Sequence, residues 1–183
     1  MKGIVFREFT DMVENQFGES MVDDLIETTN PASGGSYTTV GTYDHGELVA
    51  MVGVLSQRTG IGSAVLVHAF GKHLADVFSK KFPAFFNDCP NTFEFLKKID
   101  NHIHVEVKKL YPDAELPKFT YLQHSELEFE LIYESQRDFS HLAHGLIEGC
   151  MEYFKEAFQI HREDIIGGNS NTKVVFKLRR LVQ

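Results

Sequence analysis

The spacing of apolar residues changes once along this chain, and that change constrains the fold more than any other feature. As far as Pro112 apolar side chains recur every three or four positions, and after Pro117 they recur every second one. The first period is that of helices and the second that of half-buried strands, so a helical part is followed by a sheet. Phe6, Phe9, Met12, Val13 and Phe17 form one helical stripe that Gly18 stops, and a short helix over 21–28 runs into Asn30-Pro31. Asp44 caps a helix carrying Leu48, Val49, Val52 and Leu55 that ends at Thr59-Gly60. Ser63 caps another that ends before Pro83. Asn91 and Glu94 have capping-box spacing at the start of the clearest helix, with Phe93, Leu96, Ile99, Ile103, Val107 and Leu110 on its stripe.

Beyond Pro117, Leu127, Phe129, Leu131 and Tyr133 alternate with Glu126, Glu128, Ile132 and Glu134, which predicts a half-buried strand. Residues 119–123 are its hairpin partner through His124-Ser125. A helix resumes near Ser140 and carries Leu142, Leu146, Ile147, Met151, Phe154 and Phe158. Ile165-Ile166, a Gly167-Gly168-Asn169-Ser170-Asn171 turn and a strand over 173–181 close the chain. No internal repeat or low-complexity linker interrupts it. The expectation is one α+β domain: a helical N-terminal part, and a C-terminal antiparallel sheet with one long helix packed on it.

Composition excludes several classes. Of 183 residues, 26 are acidic and 18 basic, a formal charge of −8, and no basic stripe suits a nucleic-acid backbone. The longest apolar run, over 64–70, is interrupted by His68 and is too short to span a bilayer. The N-terminus shows no signal-peptide pattern, so the expected location is cytoplasmic, with no membrane partner. Cys89 and Cys150 fit neither a disulfide framework nor a cysteine zinc site. Sixteen Phe and six Tyr with no Trp leave two readings open: a well-filled core, or a pocket for something large, flat and apolar.

Nine histidines are candidate ligands or proton carriers. His102 and His104 lie two apart in a helix and so face nearly opposite ways. His104 shares the apolar stripe with Ile103, Val107 and Tyr111; His102 shares the solvated side with Lys98, Glu106 and Lys109. A lone imidazole on an apolar face is either a satisfied core histidine or an axial ligand. His141, His144 and Glu148 have spacing for half a metal site, but no second helix offers the matching half. Tyr133, Ser135 and Arg137, in Y-E-S-Q-R, project to one side if the segment is extended. They form either a strand-edge salt bridge or a carboxylate or phosphate clamp. An axial ligand, an apolar slot and partners for two propionates are what haem requires.

In these features the sequence resembles the haem–nitric oxide/oxygen binding (H-NOX) family, related to the sensor domain of soluble guanylate cyclase. The resemblance runs through nearly the whole chain: Met1-Lys2-Gly3-Ile4-Val5, Phe70-Gly71, His104 with Tyr111-Pro112, Pro117-Lys118-Phe119, and Tyr133-x-Ser135-x-Arg137. It implies a single H-NOX domain over 1–183, with a helical subdomain over 1–65 and a haem-binding one over 66–183, haem b (iron protoporphyrin IX) lying buried between them. It also implies His104 as the iron ligand, Tyr133, Ser135 and Arg137 on the propionates, and Pro117 against the macrocycle. The distal wall would draw on Val5, Phe9, Phe78, Leu142 and Leu146.

Oxygen-binding members place a tyrosine where this chain has Leu142, and an apolar wall gives polarised dioxygen no hydrogen bond. The expectation is a monomeric sensor of nitric oxide and carbon monoxide that excludes oxygen. A one-residue slip would instead put His141 on the distal face. Some bacterial members carry a Cys₃His zinc site. Here Phe139, Asp164 and Thr172 stand at its cysteine positions with only His161 matching, so no structural zinc is expected. The expectation is a stand-alone sensor with no appended output domain, for which the resemblance suggests a separate histidine kinase or cyclic-di-GMP enzyme as receiver. The switch it implies is cleavage of the iron–His104 bond with relaxation of a distorted haem. A haem enzyme would need distal acid–base groups, and a haem carrier a labile, exposed haem; the residues favour neither.

Overall fold

Left-handed backbone ends the early helices where the sequence allows it. In this computed structural model, which describes residues 1–165 and 171–181, α1 (Gly3–Phe17) stops at Gly18, whose φ is 89°. α2 (Glu19–Thr29) stops at Asn30 with φ 42°, and α3 (His45–Thr59) at Gly60 with φ 72°. Glycine meets no Cβ clash there, and asparagine tolerates it better than most residues. Asp44 caps α3 by accepting the Gly46 N–H at 2.9 Å.

The chain divides into two compact units, Met1–Phe70 and Gly71–Gln183, and the division falls inside α4 (Ser63–Lys81). In the first unit α1 packs on α2 and α2 on α3. Phe6, Phe9, Met12, Val13, Leu48, Met51 and Leu55 are buried, and each such side chain contributes roughly 1.5–3 kcal/mol. Phe6 stacks on Tyr37 at 4.5 Å. The Tyr37 hydroxyl donates to Glu47, which also accepts from the Ser33 hydroxyl and N–H and so ties the 33–36 loop to α3.

The second unit adds α5 (Pro83–Asn87), α6 (Thr92–Lys98), a π-helical turn (Ile99–Ile103), α7 (His104–Leu110), β1 (Lys118–Gln123), β2 (Glu128–Ser135), α8 (Ser140–Phe154), β3 (Phe158–Asp164) and β4 (Thr172–Arg180). The strands form one antiparallel sheet in the order β1-β2-β4-β3. Its inner face buries Phe129, Leu131 and Tyr133 of β2 and Val174, Phe176 and Leu178 of β4 in one core with Phe93 and Leu96 of α6 and Ile147 and Met151 of α8. On the outer face Glu128, Glu130 and Glu134 stand opposite Arg179, Lys177 and Lys173. A one-residue slip would break all three opposite-charge pairs and expose the inner row, so both faces fix one register. The α+β class and the hairpin at His124-Ser125 are as expected.

Three local expectations need correction, and one short helix was not expected. The long helix expected from Asn91 is interrupted by the π turn. The helix from Ser140 ends at Phe154, not Phe158, because Lys155 turns left-handed at φ 56° and the chain re-enters the sheet as β3. α4 ends before Pro83 as expected, and the unexpected helix is α5, which Pro83 starts, since a proline lacks only an N–H that a first helical turn leaves unpaired anyway. The Y-E-S-Q-R segment is extended only as far as Ser135 and then bends. The turn expected at Gly167-Gly168-Asn169-Ser170-Asn171 lies, apart from Asn171, outside the described residues.

α4 and α8 cross at a notch of small residues. A Cβ on Gly71 would stand 2.3 Å from the Leu142 carbonyl oxygen and 2.9 Å from Gly145 Cα; one on Gly149 would stand 2.4 Å from Ala75 Cβ. Small residues four apart on both helices therefore allow a backbone approach that larger side chains would block. Among the described residues no single helix is long and apolar enough to cross a membrane.

Candidate functional site

The histidine singled out by its helical face lies where the helix changes hydrogen-bond pattern. The His104 N–H bonds back to the Ile99 carbonyl, closing the π turn, and α7 starts at the same residue. Such turns recur at functional sites because they shift the phase of every downstream side chain. The His104 side chain keeps only 16% of its exposure, and its Nδ1 lies 3.5 Å from Asp100 Oδ1. Asp100 Oδ1 also accepts the Phe119 N–H of β1 at 3.2 Å, and the Phe119 ring centroid lies 5.8 Å from that of His104. Burial pulls the imidazole pKa below its ordinary value, against the opposing influence of Asp100. The ring is therefore neutral at pH 7, and a carboxylate beside Nδ1 favours the proton there, leaving the Nε2 lone pair to act as a ligand. His102 is exposed, with its ring edge-on to Phe85.

At the end of β2, Tyr133 is 2% exposed. Its hydroxyl donates to the Arg137 carbonyl at 2.9 Å and accepts the Phe139 N–H at 3.3 Å, while Ser135 Oγ accepts the Arg137 N–H at 3.1 Å. Burial raises the phenol's pKa, so it remains a donor. Tyr133 and Ser135 thus build the bend that aims Arg137, and the Arg137 guanidinium forms an ion pair with Glu115. Pro117 is half-buried immediately before β1.

Leu142 and Leu146 lie one turn apart on α8, half-buried, and Phe78 of α4 packs against the core. The guanidinium of Arg162 in β3 lies against the His141 ring, 2.8 Å from Nδ1, and also donates to Ser140 Oγ at 3.0 Å. His144 instead lies 3.5 Å from Glu148, so His141 does not join that pair. In the first unit Phe9 is buried edge-on to Phe70 and Val5 is half-buried on α1. Asp100 and Glu115 were missed by sequence reasoning. Their roles come from contacts across the fold, although Asp100 stands four residues before His104, a spacing that brings helical side chains together.

The donor set fits haem. A half-buried neutral imidazole with a carboxylate behind it suits ferrous iron. Arg137 already accommodates a carboxylate, the chemical group of a propionate. Phe78, Leu142 and Leu146 supply apolar surface.

The haem-NO-binding family model matches residues 2–162. The ferrous, unliganded H-NOX protein from K. algicida is 36% identical, with a TM-score of 0.93, over 100% of this chain and 98% of that one. An H-NOX from Shewanella woodyi, solved with IWP-051 in the Fe(II)CO state, is 42% identical, with a TM-score of 0.84, over 99% and 95%. One from S. oneidensis in the Fe(II)NO state is 27% identical, with a TM-score of 0.88, over 98% and 99%. No curated protein matches the sequence. The family model spans most of the chain, and the solved relatives are matched along nearly their full length: the chain belongs to the haem-NO-binding, or H-NOX, family of gas sensors.

Proposed function

We propose that this protein senses nitric oxide, and binds carbon monoxide, at ferrous haem b while excluding oxygen, and that it signals to a separate partner without catalysing a reaction. The observation that carries the ligand choice is on α8. Leu142 has no hydrogen-bond donor, and His141, the residue a one-step slip would substitute, is engaged by Arg162. Bound ferrous haem supplies the iron that takes the gas. His104 offers Nε2 to that iron, and Asp100 sets the ring's tautomer and orientation. Arg137 and Ser135 offer donors to the propionates while Tyr133 holds their bend. Pro117, Phe78 and Leu146 complete the proposed contacts within the second unit.

Phe119 and His104 share Asp100, so a changed pull on His104 is felt at the π turn and at the start of β1. A partner reads such a shift only if it binds the two arrangements unequally. A histidine kinase or a cyclic-di-GMP enzyme is the proposed receiver. Two buried free thiols, Cys89 and Cys150, with the Cys150 pKa pushed up to about 12 by burial, suit a cytoplasmic protein. Spectra of the ferrous protein test the proposal. Nitric oxide and carbon monoxide should each shift the haem bands, and air should give no oxygen adduct. His104→Gly should lose the histidine-ligated spectrum and regain it with added imidazole. An unchanged spectrum in that variant would remove His104 from the iron.

A further inference from the structure

The guanidinium proposed for a propionate already holds a carboxylate. Arg137 Nη2 pairs with Oε2 of Glu115, in the connection between α7 and β1 that also carries Pro117. The two partners are unequally placed: Arg137 keeps 22% of its side-chain exposure, Glu115 72%. The cation is thus held by the bend that Tyr133 and Ser135 build, whereas the acid stands on the solvent side of a connection. A haem propionate is a second alkyl carboxylate, with the same charge and the same preference for a two-pronged contact with arginine. One guanidinium serves two carboxylates only by dividing its donors between them, and two anions brought side by side disfavour each other.

We propose that Glu115 is a resident competitor for the propionate clamp, occupying Arg137 until haem seats and yielding it when haem binds, so that Glu115 sets how readily the chain gains and loses haem. This rests on the haem reading above.

Haem transfer to excess apomyoglobin tests this with wild type, Glu115→Gln, Arg137→Ala and the double variant. Glu115→Gln should slow haem loss about two- to five-fold, the range that an exposed ion pair commands. The gain should vanish in the Arg137→Ala background, where nothing remains to compete for. Thermal unfolding of the haem-free protein should move the other way, with Glu115→Gln melting slightly below wild type because it lacks the pair. Glu115→Ala, run alongside, should behave as Glu115→Gln does. Faster or unchanged haem loss in Glu115→Gln would overturn the proposal, as would an equal gain without Arg137. A wild-type chain that takes up no haem would overturn the haem reading itself. One that takes up haem with Glu115→Gln unaltered would overturn only the role of Glu115.

Discussion

Moving one methyl group across the α4–α8 crossing tests whether the small residues there set the distance between the helices. In Gly149→Ala the new Cβ would lie 2.4 Å from Ala75 Cβ and 3.2 Å from the Lys72 carbonyl oxygen. Carbon atoms in contact prefer about 3.5–4.0 Å, so the helices must part by roughly 1 Å or more. Overpacking of this kind costs about 1–3 kcal/mol, offset by up to about 1 kcal/mol of helix propensity gained on replacing glycine by alanine. The net loss of about 1–2 kcal/mol should lower Tm by roughly 2–8 °C in a chain of this size. Ala75→Gly alone should cost a similar amount, through lost propensity and about 0.8 kcal/mol of methyl burial. The pair Ala75→Gly with Gly149→Ala keeps one glycine and one alanine and only carries the methyl to the other helix. It should melt within about 4 °C of wild type, well above the sum of the singles. Circular dichroism melts of all four proteins suffice. A double variant as damaged as the sum, or a Gly149→Ala variant more stable than wild type, would refute the close-approach argument.

Leu142→Tyr should give the ferrous protein a detectable oxygen spectrum in air that wild type lacks. A net hydrogen bond of roughly 1 kcal/mol raises affinity several-fold, and more where water does not compete; a stable oxygen spectrum in wild type would refute the apolar-wall reading. The haem-free protein should lose stability as pH falls below about 6.5, the ordinary histidine value, because burial of His104 lowers its folded-state pKa and the unfolded chain then binds more protons. Urea midpoints at pH 7.5 and 5.5 should differ more in wild type than in His104→Gln, and equal differences would show that His104 is not the group responsible.

Signals local in sequence were legible. Gly18, Gly60, Asp44 and Asn91 bound the helices they were expected to bound, because capping depends on one side chain and its nearest backbone. The period-two run gave the strand, its hairpin partner and the buried row of Phe129, Leu131 and Tyr133, though Leu127 stands exposed just ahead of β2. The end of α8 was not legible, since lysine gives no warning of a left-handed residue, and β3 was hidden with it. The π turn has neither proline nor glycine to mark it. Of the candidate site, the half-buried face of His104 could be read from its stripe. The bend after Ser135 could not, because it depends on the Tyr133 hydroxyl reaching the Arg137 carbonyl. Asp100 against Phe119 and Glu115 against Arg137 are tertiary meetings. The small residues at 71, 75, 145 and 149 were visible spacings whose meaning appears only when the two helices cross.

The π turn before His104 amounts to one residue inserted into an α-helix. An α-helix advances about 100° per residue, so an insertion rotates everything downstream by that angle in a single genetic event, which no substitution achieves. α6 can therefore keep Phe93 and Leu96 in the core while His104 takes a direction of its own. The orientation of the candidate ligand is thus encoded in the count of residues between Lys98 and His104 as well as in their identity. Two chains with the same ligand, the same carboxylate behind it and the same clamp could aim the imidazole about a quarter turn apart if they differed by one deletion within 99–103.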